Sequence, residues 1–196
     1  QKIDVFGNPV GSPIRVNSLL EGDQEKPSVG MISEGGAYFV WEGGASGFHR
    51  VHYRVINSSG IFISDEKFAT TSNSGEQTEP SLVVLKNGSA ILSWTDYLSD
   101  GSHKGVSARI IGKDGQPETE PFRLNQFNAG NQHKSKVVAL PGGGFAAVWI
   151  SDQQLNQKSL DIVGRIFSAD GVPLTDEVVL APEGVNANPD IVLAGN

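Results

Sequence analysis

The chain has 196 residues, with 15 Lys and Arg against 22 Asp and Glu for a formal net charge of −7, no Cys, one Met, 24 Gly and 10 Pro; this length can bury roughly 70% of the unfolded surface in one domain or a short repeat array, without disulfide or metal. The bases form no run, which argues against a phosphate-binding footprint and so against nucleic acid, and the lack of Cys excludes a disulfide framework and thiol chemistry. The longest apolar stretches, such as 37–41, fall far short of the ~20 residues of a spanning helix, so membrane insertion is not expected.

The first residues already lie in register with a repeat that organises the rest of the chain. Gln1 and Gly7 have the six-residue spacing of Arg54 and Gly60, Arg109 and Gly115, and Arg165 and Gly171, so residues 2–17 are predicted as the third and fourth strands of a sheet. Gly22, Gly75, Gly130 and Gly184 then open successive units, followed by Gln24, Gln77, Gln132 and Asn186, and by Pro27, Pro80 and Pro189, with Lys134-Ser135 departing from the Pro. In each full unit an apolar strand, a Gly-containing turn and a second apolar strand end on Trp41, Trp94 or Trp149, which are 53 and 55 residues apart. A polar loop, the Arg-bearing strand and the turn glycine follow; Pro9, Pro117 and Pro173 stand two residues after their turn glycines, and Phe62 breaks that pattern once.

Within a unit the hydrophobic period is two. In the third unit 136–140 and 144–149 are joined by Pro141-Gly142-Gly143, a hairpin signal, and 161–167 and 177–181 complete four predicted strands. The stretch 145–163 could pass for a helix, but its repeat equivalents carry Gly43, Gly44 and Gly47, or Gly101 and Gly105, so it is read as strand. The Trp-bearing strand is apolar on both faces, as expected of a sheet stacked between two others. The fold expected is all-β: a β-propeller of four-stranded antiparallel blades in a single domain spanning 1–196. Its blades run about 22–74, 75–129 and 130–183, with 1–21 and 184–196 contributing to a further blade in which 188–194 is a first strand. Two closures stand open. The ends could pair into a four-bladed ring, or the chain could be part of a larger propeller that pairs with another half.

The third unit carries a resemblance. Gly143-Gly144-Phe145 leading to Trp149, then Ser151-Asp152, Asp161-Ile162-Val163-Gly164-Arg165-Ile166-Phe167, Asp170-Gly171 and Pro173 resemble a repeat of large secreted and surface proteins of bacteria: adhesin-like proteins, calcium-repeat proteins and biofilm-matrix propellers. The second unit keeps Trp94, Asp96, Arg109, Asp114-Gly115 and Pro117, and the first departs most, at Glu42. The resemblance implies an extracellular or cell-surface bacterial domain that holds polysaccharide or a cell-surface protein. Val51, Val106 and Val163 stand where the repeat often has Tyr, which removes any aromatic platform built on that Tyr.

The repeated residues admit two readings each. Trp41, Trp94 and Trp149 are read as core wedges in preference to a sugar-stacking ring. Arg54, Arg109 and Arg165 are read as partners of acids such as Asp96 and Asp152, or of carbonyls in their own blade, in preference to an anion-gripping ring. Gln24, Gln77, Gln132 and Asn186 are the candidate ligand-binding residues, one amide per blade at one mouth of the ring; the alternative is a tie between each interblade loop and its neighbour. No cofactor is expected, but calcium is possible, with Asp96 and Asp100 (with Asn87), or Asp152 and Asp161, as hard oxygen ligands, although no Asp-x-Asp-x-Asp-Gly loop is present. His49, His52, His103 and His133 fall at unmatched repeat positions, which argues against zinc. Glu76, Glu79, Glu118, Glu120 and Asp152 are read as turn and loop acids dictated by the repeat, so no catalytic residue is assigned. The expected function is a non-enzymatic binding or adhesion module that recognises glycan through its loop mouths. The alternatives are a structural spacer or protein-docking domain, and a partial propeller of a polysaccharide-degrading enzyme.

Overall fold

A computed structural model describes residues 1–70, 75–97, 103–152, 154–155, 159–181 and 188–194. Every regular element among them is a strand. β1 (Lys2–Ile3) and β2 (Pro9–Val10) form a two-stranded ribbon. Three four-stranded antiparallel sheets follow, each a meander in chain order: β3 (Asp23–Met31), β4 (Gly36–Gly44), β5 (Arg50–Asn57) and β6 (Lys67–Phe68); β7 (Gln77–Val84), β8 (Ala90–Tyr97), β9 (Lys104–Ile111) and β10 (Phe122–Arg123); β11 (Gln132–Ala139), β12 (Phe145–Asp152), β13 (Leu160–Phe167) and β14 (Val178–Ala181). This is the β-propeller-like architecture that the repeat implies, with three blades of four strands.

The unit glycines have a steric cause. Gly22, Gly75 and Gly130 adopt φ of +70°, +79° and +72°, and a Cβ on any of them would strike the backbone at the end of the same blade's second strand, at Gly44, Tyr97 and Asp152 respectively. The chain therefore enters each first strand through a crossing that only Gly fits. The ribbon β1–β2 is in repeat register as well: its Ile3–Pro9 pairing recurs as the bridges Ile56–Phe62, Ile111–Pro117 and Phe167–Pro173. Phe62, the break in the Pro pattern, lies under the Arg54 guanidinium, 3.6 Å from it.

Two apolar cores lie between blades. Tyr38, Val40, Tyr53 and Val55 of the first blade meet Leu92, Trp94 and Ile111 of the second; Ile91, Ile110 and Leu124 of the second meet Phe145, Ala147, Trp149 and Val163 of the third. Trp94 and Trp149 are fully buried and Trp41 nearly so, which places all three in the core. Arg54, Arg109 and Arg165 tie the blades together: Nε donates to the carbonyl of Ser64, Thr119 or Thr175 in the same blade, and Nη1 to that of Val16, Ala69 or Leu124 one repeat earlier. The acids Asp96 and Asp152 are not their partners, which corrects that part of the sequence reading: the guanidinium forks toward carbonyls that would otherwise be left unpaired where one blade meets the next.

The structure departs from expectation at the C-terminal end. Residues 188–194 lie at the register of a first strand and form none, and among the described residues β1 and β2 pair only with each other. A first strand needs a second strand on its flank to complete its ladder, and none stands beside 188–194 among the described residues.

Candidate functional site

The three first strands share a bulge. Lys26-Pro27 together oppose Trp41, Glu79-Pro80 oppose Trp94, and Lys134-Ser135 oppose Trp149, two residues against one in each pair of strands. Lys26, Glu79 and Lys134 sit in the left-handed region at φ of 47°, 56° and 56°, and Asn188, at the fourth equivalent position, has φ 56°. A side chain at φ > 0 without glycine is a strained conformation that the surrounding structure must hold in place. Here it turns one side chain per repeat out of the ladder and toward the axis around which the blades stand.

Those four residues converge. With the Pro and Ser residues beside them, and Lys136, they line an open cavity of about 410 Å³. Among the described residues Glu79 is its one carboxylate, faced by Lys26, Lys134, Lys136 and Asn188. The carboxylate is fixed at one oxygen: Glu79 Oε2 accepts from Thr95 Oγ at 2.8 Å and from the Lys134 backbone N–H at 3.2 Å. Lys134 Nζ donates to Asn188 Oδ1 at 2.8 Å. Behind the cavity wall lies buried Glu42, 1% exposed, whose Oε1 pairs with Lys26 Nζ at 2.9 Å and whose Oε2 accepts the Glu79 backbone N–H at 2.6 Å. Burial alone would depress the Lys26 ammonium, but the bond and charge of Glu42, with Glu79 and Glu25, hold it above the usual lysine range.

Glu42 and Thr95 do the same job in successive blades. Each follows the blade's Trp, and each caps the N–H of the strained residue in the next blade: Glu42 that of Glu79, Thr95 that of Lys134 at 3.1 Å. Sequence reasoning placed Glu79 in a turn or loop dictated by the repeat; it stands in the middle of β7, on the cavity. The signal was present in the repeat: four residues after Gly22, Gly75, Gly130 and Gly184 the side chain changes from Lys to Glu to Lys to Asn while the frame around it is kept.

The amides read as candidate ligands lie two residues earlier. Gln24 Oε1 accepts from Trp41 Nε1 at 2.9 Å. Gln77 is fully buried, with its Oε1 at 3.4 Å from Arg50 Nε of the preceding blade, and Gln132, also fully buried, joins Asn125 Nδ2 to the Ala129 carbonyl. None of the three lines the cavity. Asn186 and Asp100 fall outside the described residues. Asp96 accepts from Trp94 Nε1, and burial raises its pKa against the bonds from Trp94 and Ser107. Asp152 accepts from Asn131 Nδ2 and faces His133 Nε2 at 3.5 Å, while Asp161, buried, accepts from Ser159 Oγ. Among the described residues no three His, Asp or Glu gather as a metal-binding group. His49 pairs with Glu76, and His52 stacks on Trp41 and pairs with Glu66, so the two histidines share no partner.

No family model matches the chain, and no curated protein matches it. Among solved structures it is similar to an endo-arabinase from Bacteroides thetaiotaomicron (18% identity, 89% of this chain and 66% of that one, TM-score 0.57). It is also similar to a protein of unknown function from Dyadobacter fermentans (11%, 86% and 58%, TM-score 0.59) and to an alpha-L-arabinofuranosidase from Lactobacillus brevis (10%, 91% and 70%, TM-score 0.53). The chain spans less than two thirds of the length of the first two. At these identities the likeness is one of fold. It nevertheless corrects the expectation of a non-enzymatic adhesion module: the two of these structures whose activity is named are an endo-arabinase and an alpha-L-arabinofuranosidase.

Proposed function

We propose that the chain builds the greater part of a polysaccharide-cleaving propeller, secreted or held at a bacterial surface, in which a glycan lies across the axial cavity and Glu79 acts on the glycosidic bond. The observation that carries this is the convergence of four strained, repeat-equivalent side chains on one cavity with a single fixed carboxylate among them. The fold it shares with the arabinase and the arabinofuranosidase supports the same reading.

The role of Glu79 follows from its partners. Its Oε2 accepts from the Thr95 hydroxyl and the Lys134 backbone N–H, which hold the group in one orientation on the cavity. A carboxylate so placed suits a base that activates water, or a nucleophile. Glu42 has both oxygens engaged and sits behind the wall, so it is a positioning residue for Glu79 and Lys26. Glycoside cleavage also needs a carboxyl group to protonate the leaving oxygen. Among the described residues no second one lines the cavity, so that donor comes from elsewhere in the protein.

Release of reducing ends from a panel of polysaccharides, arabinan and polygalacturonate included, tests the reading. The whole protein, with the proton donor it supplies, should cleave at least one of them, and Glu79→Gln in it should lower the rate by at least about a hundredfold while the far-ultraviolet circular dichroism is kept. Cleavage that survives Glu79→Gln, or no cleavage of any polymer, would overturn it.

A further inference from the structure

The charge of the cavity runs against that of the molecule. The chain carries a net −7, yet among the described residues three lysines, Lys26, Lys134 and Lys136, line the cavity against one carboxylate, Glu79. Lys26 is spent on Glu42. Lys134 and Lys136 are not: among the described residues neither lies within ion-pair distance of an acid, and Lys134 Nζ has only the neutral Asn188 amide oxygen at 2.8 Å. These two ammonium groups are two residues apart on β11, just where the bulge between His133 and Lys136 releases the strand from its ladder. A concentration of positive charge held in a concave site draws anions to that site.

We infer that the axial cavity binds an anionic glycan, one whose sugars carry carboxylate or sulfate groups, and that Lys134 and Lys136 are the residues that select it. The neutral chain of such a polymer passes Glu79 while an acidic substituent meets the two ammonium groups, with the Asn188 amide oxygen orienting the nearer one. Strain at Lys134 serves this placement, since a residue in ordinary strand geometry there would stay in the ladder between β11 and β12. The inference rests on the proposed glycan function, and it names the substrate class for that same cavity.

Binding is read by calorimetry with oligogalacturonate, with a sulfated galactan oligosaccharide and with neutral arabino-oligosaccharide, at low and at moderate salt. Oligogalacturonate or the sulfated galactan should bind, more weakly as salt rises, and the neutral glycan should bind less well than either. The double variant Lys134→Ala, Lys136→Ala should lose at least about tenfold in affinity for the anionic glycan, and Lys134→Arg, Lys136→Arg should keep it, which separates lost charge from lost folding. Which anionic arm binds identifies the substituent. Equal affinity for the neutral glycan, no salt dependence, or no loss in the alanine variant would overturn the inference. The two proposals fail separately: anionic binding without cleavage in wild type removes the catalytic reading alone, and cleavage confined to neutral arabinan removes this one alone.

Discussion

The repeated arginines show how one residue type serves three interfaces. Arg109 is 6% exposed and gives Nε to Thr119 O at 2.8 Å and Nη1 to Ala69 O at 3.0 Å, so it joins the second blade to the end of the first. Arg109→Ala leaves two carbonyls unpaired and should cost about 2 kcal/mol in chemical denaturation. A loss within a few tenths of a kcal/mol would show that water replaces the fork. His52 gives a pH prediction. Burial depresses its pKa below 6.5, with Glu66 opposing and Arg50 assisting. The unfolded chain therefore takes up the proton first as pH falls, and the stability contributed by neutral His52 is present above about 6.5 and lost on acidification below it. Burial sets the same direction for His133, against Asp152. The Glu66 carboxylate, held low by Ser18 and Leu19 despite its burial, adds a loss below about 4.5. Proton NMR should find the His52 imidazole titrating below 6.5, with a falling melting temperature from pH 7 to 5.5; a titration above 6.5 would reverse the sign.

The bulged first strand is the element that the repeat uses to expose chemistry. Lys134 has φ 56°, so Lys134→Gly removes the strain of a side chain in that region at the cost of a looser unfolded chain. The exchange should raise stability by about 1 kcal/mol and weaken anionic-glycan binding, a trade between stability and function at one position. A destabilised Lys134→Gly would mean that the Lys stem holds the fold. The frame of this element was legible in the sequence: glycines at Gly22, Gly75 and Gly130 marked the crossings, and Trp41, Trp94 and Trp149 marked the second strands. What was not legible is which residue faces the axis. Gln77 and Glu79 differ by two positions and in a regular strand would share a face. The bulge between Thr78 and Ser81 breaks that register, leaving Gln77 in the interblade contact and Glu79 at the cavity. An apolar-polar pattern carries no mark of a bulge whose second residue is sometimes Pro and once Ser.

At the scale of the whole molecule, stability comes from blade against blade. Val29 and Val137 occupy the same repeat position, but Val137 is 8% exposed against the second blade, whereas Val29 is 56% exposed on the outer face of the first. Val137→Ala should cost roughly 2 kcal/mol and Val29→Ala close to nothing in parallel denaturation curves. Equal costs would mean that the outer face of the first blade is covered in solution. The same dependence on neighbours explains why 188–194, apolar and in register, was read as a strand and is not one. The sequence supplied the pattern of a first strand, but no partner strand flanks it among the described residues. Function was less legible than fold, because the repeat motif consists of residues that build blades, while the residues that differ between blades carry the site.

Catalysis by Glu79 is tested by comparing the whole wild-type protein with its Glu79→Gln variant in release of reducing ends from anionic and neutral polysaccharides, with both proteins shown to be folded. Wild type should cleave at least one polymer, and Glu79→Gln should lose at least about a hundredfold in rate. Equal rates in the two proteins, or none in either, would contradict a catalytic carboxylate at the propeller axis.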